Sequence, residues 1–86
     1  MNTIKWSRKA SKQLRSVPKG DGGRIVEKVE QLQSFPNVPG LDLVALENHD
    51  NGYRLRVGRY RVMFNFEDEI KIVFVEEVKK RDERTY

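Results

Sequence analysis

Apolar and polar positions alternate almost without a break over residues 53–66. Tyr53, Leu55 and Val57 alternate with Arg54 and Arg56, then Tyr60, Val62, Phe64 and Phe66 with Arg61, Met63 and Asn65. A period of two is that of strands buried on one side only. Gly58-Arg59 interrupts it, and glycine at the first of two central positions suits a type II′ hairpin turn. With that turn, Val57 pairs with Tyr60, Arg56 with Arg61, Leu55 with Val62 and Arg54 with Met63. The acidic run Glu67, Asp68, Glu69 then turns the chain into a last strand, from residue 70 to about 78, rich in β-branched and aromatic residues.

The first half of the chain follows other periods. Residues 3–6 alternate as a short first strand, and Ser7 is placed to cap a helix. Ala10, Leu14 and Val17 continue from Trp6 at spacings of three and four, the stripe of an amphipathic helix, with Arg8, Lys9, Lys12 and Arg15 mostly outside it. Pro18 and the glycines at 20, 22 and 23 are expected to end this helix and separate it from a second one over residues 24–35, where Ile25, Val29 and Leu32 share a side. Pro36, Pro39 and Gly40 mark a loop. Residues 41–46 read as a strand or an irregular edge, and the charged tail, 79–86, as a short helix or a loop. No repeat or linker divides the chain, so residues 1–86 are expected to form one domain, burying roughly 60–65% of the surface the unfolded chain exposes.

Composition narrows the chemistry. There is no cysteine and a single histidine, which leaves no disulfide framework and disfavours a protein-built metal site, so no metal or cofactor is expected. The N-terminal residues carry charges every few positions, without the apolar run of a signal peptide or a membrane span, and a cytoplasmic protein away from membranes is expected. Seventeen Lys and Arg against thirteen Asp and Glu give a net charge of +4. The distribution says more than the sum: Glu67, Asp68, Glu69, Glu76 and Glu77 gather late, while the hairpin and first helix are almost purely basic. Such separation steers a polyanion or an acidic protein partner.

The hairpin pairing puts Arg54, Arg56 and Arg61 on one face, with two like charges directly opposite, a destabilising arrangement. Guanidinium groups present fixed forks of donors to phosphate oxygens, so this face reads as a phosphate site. The plainer alternative is a polar face left to water, common in antiparallel sheets. Arg59, at the turn, reads as merely exposed. Lys80 and Arg81, leaving the last strand, are expected at the edge of the same face, with Lys80 joining Arg54 and Arg56 as phosphate contacts. Tyr86 offers a ring to stack on a base and a phenol for proton chemistry; a frayed, idle terminus is the alternative. His49 is the side-chain type that titrates near neutrality, yet its Asn- and Asp-rich surroundings read as an exposed turn, and Glu47 lies in the same loop.

The order of elements, the hairpin YRLRVGRYRVMF, the acidic turn, the strand IKIVFVEEV and the ending KKRDERTY together resemble the RelE toxins of the RelE/ParE superfamily of bacterial toxin–antitoxin systems. The resemblance runs from about Thr3 to Tyr86, and GRYRVMF with KRDERTY is its most specific part. It implies an α+β fold, an N-terminal strand and helical hairpin packed on a small antiparallel sheet. It also implies a ribosome-dependent endoribonuclease, an mRNA interferase that cuts the messenger in the A site and so inhibits translation. In such metal-free cleavage the 2′-hydroxyl attacks the adjacent phosphate, leaving a 2′,3′-cyclic phosphate and a 5′-hydroxyl.

Carried over by position, Arg61 braces the phosphate, Arg81 stands near the scissile bond and leaving group, and Tyr86 stacks on a base or assists proton transfer. Arg54 and Arg56 occupy positions where the best-known family member has lysines. Arginine holds its proton too firmly to act as a base, so these two are donors only, and the base is left open among Tyr86, His49 and Glu47. The implied partners are a cognate antitoxin protein, in a hetero-oligomer, and the ribosome with its mRNA. Two other functions stay in view: a ParE-like inhibitor of DNA gyrase, and a non-catalytic RNA- or ribosome-binding module.

Overall fold

The computed structural model describes residues 1–47 and 52–80. Its elements are β1 (Thr3–Trp6), α1 (Arg8–Arg15), α2 (Lys19–Glu30), a 3-10 turn (Gln31–Ser34), β2 (Asp42–Ala45), β3 (Gly52–Val57), β4 (Tyr60–Glu67) and β5 (Ile72–Lys80). The strands form one sheet in the order β1-β5-β4-β3-β2, antiparallel except where β1 lies parallel to β5. This is the α+β arrangement that the resemblance implies, with β1 added to the antiparallel strands in parallel.

The helices cover the face of the sheet that carries the run of large apolar side chains. Leu55, Val62, Phe64, Val73 and Val75 are buried there against Ala10, Ile25, Val29 and Leu32. Phe35, which ends the 3-10 turn, locks the layers together. Its ring stands edge-on to Tyr53, Phe64 and Phe66 at centroid distances of 4.9, 5.4 and 5.0 Å, an arrangement favoured by the ring quadrupoles. Asn2 fastens the same corner: its side-chain amide donates to the carbonyls of Leu32 and Phe35 at 3.1 and 2.8 Å. The Phe35 carbonyl lies just past the 3-10 turn, where intrahelical partners run out, while the Leu32 carbonyl accepts from the Phe35 amide as well.

Helix α1 closes an edge that β1 leaves open. β1 pairs only with residues 72–75 of β5, and an unpaired strand edge invites other strands. Beyond that point the Ser7 amide donates to Val75 O at 2.8 Å, the Ser7 hydroxyl donates to Glu76 O at 2.9 Å and the Val78 amide donates to Gln13 Oε1 at 2.7 Å. Ser7 also caps α1, accepting from the Ala10 amide at 2.9 Å.

Three expectations need correction. The glycines at 20, 22 and 23 do not separate the helices: α2 starts at Lys19, directly after Pro18. Glycine lowers helix propensity by about 1 kcal/mol per residue, but the buried Ile25 and Val29 anchor this helix to the sheet, and packing outweighs propensity. The second helix also tightens into a 3-10 turn at Gln31, short of residue 35. Finally, the last strand is displaced by two residues at each end. Lys71 has a φ of 55°, a left-handed conformation that prolongs the turn and delays β5 to Ile72, and Lys79 and Lys80 belong to the strand and not to the tail.

Candidate nucleic-acid interface

The hairpin forms as its alternation predicts. Gly58 has φ +59° while Arg59 is not in the left-handed region, the pattern of a type II′ turn. The register is Val57 to Tyr60, Arg56 to Arg61, Leu55 to Val62 and Arg54 to Met63. Arg54, Arg56 and Arg61 thereby share the face away from the helices. With Gly58 and Tyr60 they line a concavity of ≈ 200 Å³. No carboxylate of the described residues forms an ion pair with any of the three. Arg54 and Arg61 are half-buried and Arg56 is exposed, so three donor forks converge on a space open to solvent.

The third strand of this face holds a correction. Arg61 pairs on its other side with Lys79, whereas Lys80 pairs with Tyr60. Lys80 therefore lies on the helix side, where it lines a different concavity with Gln13, Ser16, Val17, Pro18, Tyr60 and Val78. The cause is a β-bulge. Met63 pairs with Glu77 and Phe64 with Val75, which leaves Glu76 as the extra residue. The Asn65 side-chain amide donates to the Glu76 carboxylate across it. Strict alternation from Val73 and Val75 would have turned Lys80 outward; one inserted residue exchanges the two lysines.

Lys79 is thus the member of this face that reasoning from the sequence missed. A signal for it exists in the spacing of the buried valines, 73, 75 and then 78. Two inward positions three residues apart cannot both belong to one uninterrupted strand. The lysine is 53% exposed and stands 3.7 Å from Glu77, whose carboxylate is also 3.2 Å from Lys9 of α1.

The remaining candidates divide simply. Glu47 is an exposed turn residue just beyond β2. His49, Arg81 and Tyr86 lie outside the described residues. Among the described residues, no group of three or more His, Asp or Glu side chains gathers as a metal site requires, and no helix is long and apolar enough to cross a membrane.

A profile of the ParE toxin of the parDE type II toxin–antitoxin system matches residues 4–85, nearly the whole chain. The chain belongs to the ParE toxin family. Among curated protein sequences none matches it. Among solved structures, this toxin is similar to a chain of the archaeal RelE–RelB complex from Pyrococcus horikoshii, with 27% identity, a TM-score of 0.82 and coverage of 95% of this chain and 97% of that one. It is also similar to the isolated RelE toxin of E. coli, with 18% identity, a TM-score of 0.82 and coverage of 99% and 89%. A chain of the intact E. coli RelBE toxin–antitoxin complex superposes with a TM-score of 0.76 at 22% identity, covering 98% of this toxin and 100% of that chain. The toxin therefore carries the fold shared by the RelE and ParE branches of one superfamily.

Proposed function

We propose that this toxin is an endoribonuclease that cuts messenger RNA in the ribosomal A site. The observation that carries the reading is the cationic face, where Arg54, Arg56 and Arg61 surround one concavity without a carboxylate partner among the described residues. Like charges directly opposite on neighbouring strands destabilise a sheet. A bound phosphate group reverses that sign.

The chemistry follows from the donors. As the 2′-oxygen bonds to phosphorus and the 5′-oxygen departs, negative charge grows on the phosphate oxygens. Preorganised guanidinium groups stabilise that charge more than they stabilise the ground state, and such donors contribute roughly 10²–10³-fold each. In this reading Arg61 braces the phosphate, with Arg54 and Arg56 beside it. Arg81 and Tyr86, carried over from the RelE resemblance, serve the leaving group and the stacked base or its proton. None of the arginines can accept the 2′-hydroxyl proton.

The solved relatives include RelE–RelB and RelBE complexes. They support a cognate antitoxin for this chain too, one whose acidic segment lies over the cationic face and holds the toxin in a hetero-oligomer.

Primer extension on a defined messenger programmed into ribosomes tests the reading. Cuts at the A-site codon that require both toxin and ribosome, and that weaken roughly 10²–10³-fold in Arg61→Ala and also in Arg81→Ala and Tyr86→Phe, are the expected result. An uncut messenger with folded wild-type protein overturns it. The match to the ParE profile favours a second reading, inhibition of DNA gyrase. A supercoiling assay inhibited by the wild-type protein, alongside an intact messenger, selects that one.

A further inference from the structure

We infer that Lys79 is a phosphate-contacting residue of the cationic face, and that Glu77 acts as its resident counter-ion until RNA displaces it. The inference rests on the nuclease reading and deepens it. Arg56, Arg61 and Lys79 form one row across three adjacent strands, each paired in register with the next. Directly paired residues in a sheet lie about 4.5–5.5 Å apart at their Cα atoms, so the three cations stand in one row about 9–11 Å long, with long side chains free to lean toward a phosphate on that face. The lysine adds what the guanidinium groups lack, a compact charge on a flexible stem that follows a phosphate as it moves.

Glu77 explains how the row stands without RNA. Its carboxylate lies 3.7 Å from the Lys79 ammonium and 3.2 Å from that of Lys9, on the side of the row away from Arg56. Arg54, Arg56 and Arg61 have no such partner among the described residues. Lys79 is the exposed member of a pair 3.7 Å long, while the half-buried Glu77 keeps Lys9 at 3.2 Å; a pair open to water on one side is weak, so an RNA phosphate takes Lys79 while Glu77 stays paired with Lys9.

Salt dependence of binding reads the number of phosphate contacts. Each one lost lowers the slope of log affinity against log salt by about 0.7 for a single strand. The toxin's affinity for ribosomes should be measured between 50 and 200 mM salt, with and without messenger in the A site. Over that fourfold range the wild type is expected to lose about 2.6-fold more affinity than Lys79→Gln, from one contact of slope 0.7. Lys79→Arg should keep the wild-type slope, Lys80→Gln should not change it, and Glu77→Gln should tighten binding at low salt. A reduced slope confined to programmed ribosomes assigns the phosphate to the messenger; one seen on both kinds assigns it to ribosomal RNA. A wild-type slope in Lys79→Gln, or a loss in Lys80→Gln instead, overturns the inference alone. Failure of the wild-type protein to bind either kind of ribosome overturns the nuclease reading beneath it.

Discussion

Arg61→Gln should make the protein more stable. Arg61 has a cation directly across from it on each side, Arg56 on β3 and Lys79 on β5. Each like-charged cross-strand pair destabilises by roughly 0.2–1 kcal/mol, so removing the central charge relieves about 0.4–2 kcal/mol. Arg61 is half-buried, and some packing of its stem is lost with the shorter side chain. A net gain of about 1 kcal/mol is expected, which raises Tm by roughly 4–8 °C in a domain of this size. Thermal melting followed by circular dichroism measures it. Salt provides the internal control, because the screening length falls from about 30 Å at 0.01 M to about 3 Å at 1 M. The gain should be largest at low salt and shrink strongly at 1 M. Lys80→Gln, on the other face, should show neither the gain nor its salt dependence. If Arg61→Gln melts below the wild type at low salt, or its gain is the same at both salt concentrations, the charge row is not strained and the physical case for an anion site fails.

The framework makes its own predictions. Phe35→Ala removes a ring that touches Tyr53, Phe64 and Phe66, and it should lower stability by about 3–5 kcal/mol in denaturant unfolding, a large share of the total for a small domain. Asn2→Ala leaves the carbonyls of Leu32 and Phe35 without their side-chain donor. It should lower stability by about 1–3 kcal/mol, with faster amide exchange at the end of the helical segment.

Legibility in the sequence depended on which physical rule decides each element. The β3–β4 hairpin was fully legible, pairs included, because a two-residue turn with glycine at the left-handed position leaves one register and burial of one face enforces it. The same logic placed Arg54, Arg56 and Arg61 together before any coordinates. The start of α2 was not legible: three glycines carry a real local penalty, and only the tertiary anchoring of Ile25 and Val29 outweighs it. Asn2 was silent for a related reason, since its two acceptors lie 30 and 33 residues away in the chain. Arg81, Tyr86 and His49 fall outside the described residues; the roles of the first two rest on family likeness, and that of His49 on the titration range of its side-chain type.

The exchange of Lys80 for Lys79 shows why a site is harder to read than the fold that bears it. The fold tolerates an extra residue in β5, because Val75 and Val78 both still reach the core across the bulge at Glu76. The site does not tolerate the same uncertainty, since a shift of one residue moves a charge from one side of the sheet to the other. Lys79 and Lys80 are chemically identical and adjacent, so composition, net charge and family resemblance cannot tell them apart. What separates them is the core: Val78 must point inward, and its neighbour must therefore point to the arginines. The apolar side of a strand thus decides which cation its polar side presents, and reading the buried valines first would have found the lysine that faces Arg61.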